Sequence, residues 1–237
     1  PIGDALTGAD PPALGRRAVI VTSERGAEDE PARKAKYFLQ RRGVQCLGVV
    51  ARRGPPDAAR LDEACAVARR TGCDSVVALG GGSVLDFGKA LAVLLANPVP
   101  MAGVLKAADP SSLFALPAVP TLLVPTAPSG AELRRRPFVL WKDEACTRID
   151  TSAAAATAPV TTIVDASLSA SLPPARSFAT ALAAVVHGCE TYVSATGTDA
   201  SRRLSMGAVL SGAAALRLGA ASAWEDAAAR EAAAAGG

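Results

Sequence analysis

The sequence is poorest in the residue that most often binds metals. His187 is the one histidine in 237 residues. A metal centre needs three or four ligands at fixed geometry, so imidazole alone cannot build one here. Five cysteines (Cys46, Cys65, Cys73, Cys146 and Cys189) are scattered with no CxxC spacing. Their odd number and the chain length exclude the disulfide framework of a small secreted domain. A reducing, intracellular setting, cytoplasmic or mitochondrial, is expected. Excess charge of one sign is missing too. Twenty-five basic residues against 22 acidic ones leave a net charge of +3, too little to argue for nucleic acid or for a membrane surface. The tightest basic cluster, RRR at 134–136, reads as a solvated loop. Long apolar runs are absent as well. LAVLLAN at 91–97 is far shorter than a membrane span. Nothing resembles a secretion signal, although the sequence opens on Pro1 and a leader could already have been removed. Aromatic residues make up only 4%, and alanine fills much of the space they leave.

What remains is half hydrophobic, enough to bury a proper core. RRAVIVTS (16–23) reads as a buried strand behind a charged edge. EDEPARKAKYFLQRRG (28–43) places acid first and base last and stops at Gly43, which is helix polarity with a glycine stop. VQCLGVV (44–50) is a second strand. DAARLDEACAVARRTG (57–72) puts Leu61, Ala64, Cys65 and Ala68 on one helical face and ends at Gly72. DSVVALG (74–80) is a third strand, and a helix over roughly 84–96 follows the glycine run. TLLVPT (121–126), FVLW (138–141) and TTIVD (161–165) add strands. This alternation predicts an α/β fold with a doubly wound parallel sheet. After LPP (172–174) the texture turns to alanine-rich helix. The expected domains are therefore 1–174, Rossmann-like, and 175–237, a truncated all-helical region. The closing AAAREAAAAGG reads as frayed, and no internal repeat is visible.

ALGGGSVLDFGKA (78–90) carries the chemistry. Glycines at a strand end let backbone N–H groups approach a phosphate, and the following helix adds its positive dipole end. Asp86 and Lys89, three residues apart, share a helix face. GGGSVLDFGKA resembles the GGGSxxDxAKA element of the iron-containing alcohol dehydrogenases, in the dehydroquinate-synthase-like fold. GRRAVIVTS (15–23) resembles the first strand of that family. LPAVPTLLVPTAPSGAE (116–132) is similar to its PTTAGTGSE segment, and VDASLSASLPPARSFATALAAVVHGCETYVS (164–194) to its DALtHAiEaY segment. Recognisable anchors cover residues 15–195; beyond them only helical texture matches. The resemblance implies NAD or NADP as cofactor. It implies phosphate contacts at Gly80, Gly81, Gly82 and Ser83, the family's acid and base at Asp86 and Lys89, and a second loop at Thr126, Ser129 and Glu132. That loop is one residue shorter here and contains Pro128, which fixes φ and removes a donor. Ser23 stands where the family has the aspartate that holds the adenosine ribose. With Arg25 nearby, NADP is as good an expectation as NAD; equally, Ser23 is a turn residue.

The family also implies a divalent metal held by an aspartate and three histidines, which would stabilise the developing alkoxide. AAVVH (183–187) occupies the place of DALTH, so His187 is kept and the aspartate has become Ala183. The remaining histidines have no counterpart, and Cys189 would point elsewhere on the helix. Asp165 and Glu190 read as structural. No metal is therefore expected, and His187 is a leftover. Tyr37 and Tyr192, the only tyrosines, form no evident tyrosine–lysine pair that could replace it. The family's helical domain runs well past 237 residues in total. The function expected is that of a diverged, catalytically inactive relative, kept as a structural or accessory subunit of a larger assembly with a protein partner or a second copy of itself. An active NAD(P)- and metal-dependent alcohol dehydrogenase and a non-catalytic NAD(P)-binding module are the alternatives.

Overall fold

The structure is a computed structural model, which describes residues 2–8, 12–27, 29–52, 54, 56–127, 129–133, 138–142, 145–149 and 160–222. Pro128, the arginine cluster 134–136 and the tail 227–237 lie outside the described residues. The chain divides into two compact units. The first comprises Pro1–Pro125 with Ala131–Val164, the second Thr126–Gly130 with Asp165–Gly237.

The first unit is built on a five-stranded, wholly parallel sheet. Its strands are β1 (Arg17–Ser23), β2 (Gln45–Ala51), β3 (Ser75–Gly80), β4 (Thr121–Pro125) and β7 (Val160–Thr162), in the order β2-β1-β3-β4-β7. The central strands are buried on both faces, as a parallel sheet covered by helices requires. All six positions of β3 and all five of β4 are buried. Val19, Val21, Val76, Ala78 and Leu123 join the main core with α3 (Ala58–Arg70) and α4 (Gly82–Ala96). The helix α2 (Glu30–Arg41) buries Ala32, Ala35 and Leu39 and packs on β2 and on the short α1 (Ile2–Thr7).

The helices end where their sequences say. Asp57 accepts a hydrogen bond from the Arg60 N–H at 2.9 Å and caps α3. Gly43 and Gly72 turn the chain at φ 78° and φ 70°, in the left-handed region glycine enters without strain. Several elements escaped the sequence reading, among them the short α1. The helix α5 (Met101–Lys106) is too short for its periodicity to register. The strand β6 (Ala145–Ile149) alternates weakly, yet it pairs antiparallel with β5 (Phe138–Lys142).

Among the described residues the second unit is helical. A 3-10 turn (Ala166–Ser171) precedes α6 (Pro174–Val193) and α7 (Asp199–Ser222). The turn belongs to this unit, so the division falls after Val164 and ahead of the LPP signal. The two long helices meet along small residues: Ser177, Ala181, Ala184 and Gly188 on α6, Ser205, Gly212, Ala215 and Gly219 on α7. The approach is close. A Cβ on Gly188 would lie 2.7 Å from Val209 Cγ2, and one on Gly212 2.8 Å from Val185 Cγ2. By length and composition alone α7 could cross a membrane, with 24 residues and a mean hydropathy of 1.4. Its small-residue face packs on α6, while Leu204, Met206, Leu210 and Leu218 are exposed.

Candidate functional site

In a doubly wound sheet, ligands bind beyond the carboxyl ends of the strands, where the winding reverses. Here the chain moves from β1 to β2 on one side and then returns to place β3 on the other. The reversal lies between β1 and β3, which end at Ser23 and Gly80 on the same edge. β4 ends beside them, with Pro125 opposite Gly80.

The glycines at that edge have different reasons to be glycine. A Cβ on Gly80 would lie 2.7–2.9 Å from three atoms of Val84, so Gly80 is small because the next helical turn folds back over it. Gly88 is small because its Cβ would come within 2.5 Å of Ala78 Cβ, where α4 lies on β3. Gly81 has no such reason. No described atom lies within 4 Å of the place its Cβ would occupy, and its φ of −78° suits any residue. Gly81 is also the N-cap of α4, and no side chain caps the helix there. The amide end of α4 therefore faces an open, side-chain-free approach beside Gly82 and Ser83, both half-buried. A pyrophosphate suits this combination: negative charge against the helix start, and room where a Cβ would otherwise stand.

Asp86 and Lys89 form an internal pair. Lys89 Nζ lies 2.6 Å from Asp86 Oδ1, with the lysine side chain 3% and the aspartate 13% exposed. Lys89 also donates to the Ala131 carbonyl at 3.1 Å, while Asp86 Oδ2 accepts from the Val139 N–H at 3.3 Å. These bonds tie α4 to the segment after β4 and to the β5–β6 hairpin. Ser23 accepts a hydrogen bond from the Gly26 N–H at 3.0 Å and so closes the turn after β1; Arg25 is exposed in that turn. Thr126 and Ser129, both half-buried, belong to the second unit, and Glu132, buried, to the first. Thr126 directly follows Pro125 in the chain. A cavity of about 230 Å³ lies beside α2, lined by Thr22, Ala32, Lys36, Cys46 and Val50 among others; no residue of the glycine turn lines it.

The residues that would hold the family's metal do not assemble. His187 is exposed on α6, one helical turn after Ala183. Asp165 accepts from the backbone and the hydroxyl of Ser167, at 3.1 and 2.6 Å, and so caps the 3-10 turn. Among the described residues no three of histidine, cysteine, aspartate and glutamate cluster for a cation.

The family model for iron-containing alcohol dehydrogenases matches residues 5–166. This chain belongs to that family. A probable alcohol dehydrogenase of Salmonella typhimurium, EutG, is 33% identical over 159 residues, covering 65% of this chain and 39% of its own length. Among solved structures, the iron-containing alcohol dehydrogenase of Thermococcus thioreducens superposes with a TM-score of 0.79 at 21% identity; the match covers 99% of this chain and 60% of that one. Sulfoacetaldehyde reductase from Bifidobacterium kashiwanohense, solved in complex with NAD+, gives a TM-score of 0.80 at 21% identity, covering 93% and 57%. The chain thus spans less than two thirds of the length of these relatives.

Proposed function

We propose that this chain is the dinucleotide-holding part of the iron-containing alcohol dehydrogenase fold, a non-catalytic NAD(P)-binding subunit within a larger assembly. The observation that carries this reading is Gly81, small without any internal packing reason and placed at the start of α4. The open backbone at Gly81, Gly82 and Ser83 would receive the pyrophosphate, and Gly80 would shape the turn beneath it. A structural neighbour of the same fold was solved in complex with NAD+, which supports a nicotinamide dinucleotide as the ligand class. A bound nicotinamide would accept or deliver a hydride. The chain's own contribution is to bind and orient it. Asp86 and Lys89 would fix the pitch of α4 under the turn from inside and not touch the cofactor. Ala183 at the family's aspartate position supports a reading without metal-assisted catalysis, because a methyl group offers no lone pair to a cation.

Gly81→Asp tests the reading. A carboxylate at an N-cap satisfies helix amides and favours the helix dipole, so the melting temperature should hold or rise. The same carboxylate would fill the open space and repel phosphate. The wild-type protein should be stabilised by NADH or NADPH in a thermal-shift assay, as any ligand of the folded state stabilises it, and the variant should lose that shift. A wild-type protein that responds to neither nucleotide overturns the proposal. Alcohol-dependent NAD(P)H formation by the purified chain would instead favour a complete dehydrogenase.

A further inference from the structure

The cavity beside α2 lies apart from the glycine turn and has its own floor. β1 and β2 run in register beneath it, with Ile20 opposite Gly48 and Thr22 opposite Val50. Leu47 and Val49 turn to the main core, so Cys46, Gly48 and Val50 face α2. Gly48 sits in the middle of this floor. Glycine weakens a strand, and inside one it often marks a close approach by another group. Neither of its usual internal reasons applies. Its φ is outside the left-handed region, and a Cβ there would have no described atom within 4 Å. The side chain left out is space given to the cavity.

The two ends of the cavity are polar. Thr22 is 5% exposed, and its hydroxyl has no hydrogen-bond partner among the described residues. A buried hydroxyl left without a partner is costly, so a ligand that bonds it gains. Lys36 lies at the opposite end. A helix joining two parallel strands runs back against them, so Lys36, one turn after Ala32, is placed toward Cys46. Burial raises the Cys46 thiol and Lys36 opposes that rise, as a neighbouring cation does. Lys34 pairs with Glu30 at 2.6 Å, whereas Lys36 has no ion pair among the described residues. Between the ends the lining is aliphatic, with Ile20, Ala32 and Val50. The volume of about 230 Å³ holds roughly eight water-sized groups at ~30 Å³ each.

We infer that this cavity binds a linear carboxylate of about six carbons with a hydroxyl at its far end. The carboxylate pairs with Lys36, the chain lies over Ile20 and the gap at Gly48, and the hydroxyl bonds Thr22. The inference does not rest on the glycine turn holding a nucleotide.

Saturation-transfer NMR on the 237-residue chain tests it. The probe, 6-hydroxyhexanoate, should bind at up to about 10 mM, a range that reads millimolar affinity. Hexanoate, without the hydroxyl, should bind several-fold more weakly, and 1,6-hexanediol, without the charge, weaker by roughly tenfold or more. Lys36→Met should weaken 6-hydroxyhexanoate by roughly tenfold or more. Thr22→Val should lower its affinity to that of hexanoate. Gly48→Val should abolish binding while the melting temperature holds or rises, because a β-branched side chain suits a strand and meets open space there. Lys36 is exposed, so two of the three variants read binding on an intact fold even where Thr22→Val does not fold. No saturation transfer in the wild-type chain overturns the inference. So does binding that Lys36→Met and Gly48→Val both leave unchanged, which would put the ligand elsewhere. Equal affinity for hexanoate and 6-hydroxyhexanoate would overturn the hydroxyl-bearing class. Displacement of the probe by NADPH would make the cavity part of a nucleotide site and overturn it as well.

Discussion

Gly80 and Gly81 are adjacent and chemically identical, yet a side chain at one would strike Val84 and at the other would meet empty space. In the sequence the run reads as one phosphate cradle. The letters alone cannot separate a glycine required by packing from one that leaves an approach open, because that difference lies in tertiary neighbours. Ser23 was legible in the same partial way. Its place at the end of β1 could be read, and its bond to Gly26 could not. An aspartate there could accept the same N–H while repelling a 2′-phosphate and holding a ribose hydroxyl. Ser23→Asp should therefore shift the ratio of NADH to NADPH affinity toward NADH by roughly tenfold, about 1.4 kcal/mol, measured by titration calorimetry on both cofactors. The thiols offer a second measurement. Burial pushes Cys65 and Cys46 above the usual thiol range, with Arg69 and Lys36 opposing that shift. Cys146 and Cys189 are exposed. Maleimide labelling followed by mass spectrometry at neutral pH should modify Cys146 and Cys189 first and Cys65 last. The sign for stability follows from the same direction. A raised thiol pKa favours the folded state at neutral pH, and that contribution is lost as pH climbs into the alkaline range, where the unfolded chain deprotonates first.

At the scale of elements, the alternation of strands and helices was readable because buried parallel strands and amphipathic helices differ in period and length. β1 to β4 and α2 to α4 fall within a few residues of their expected limits. α5 and β6 were missed because each is short and irregular in hydrophobicity, and their existence depends on what they pack against. Asp86 and Lys89 show the opposite lesson. Their three-residue spacing was visible, but the inward direction of the lysine was not, since nothing in a helix pattern says which polar pair is sealed beneath a hairpin. Removing one partner of a buried ion pair strands the other charge. Asp86→Ala should cost about 3–5 kcal/mol by denaturant unfolding, whereas an exposed i, i+4 pair such as Glu30–Lys34 should cost under about 1 kcal/mol when broken.

At the scale of the whole chain, the sheet unit holds the helix start that suits a nucleotide, while the ligand set of a dehydrogenase is not gathered among the described residues. Incubation with Fe²⁺ or Zn²⁺ followed by desalting should leave well under one equivalent of metal by elemental analysis, and His187→Ala should not change that figure. Retention near one equivalent would point to donors that the described residues do not supply.

The seam between α6 and α7 has a bearing on how the second unit finds its arrangement. Ser205, Gly212 and Gly219 recur every seven residues, so a slip of one heptad along α7 would set Gly219 where Gly212 meets Val185 and Leu216 where Val209 meets Gly188. Small side chains alone discriminate poorly between these two alignments. The short connection from Ser194 to Thr198 settles the choice. The Gly197 N–H donates to the Ser194 carbonyl at 3.0 Å and the Ser201 N–H donates to the Thr198 hydroxyl at 3.1 Å, so the start of α7 is latched close to the end of α6. A heptad slip moves a helix by about 10 Å, more than this latched corner can yield. The hairpin is indexed by its bend and not by its interface, so it has one alignment only while the bend stays short.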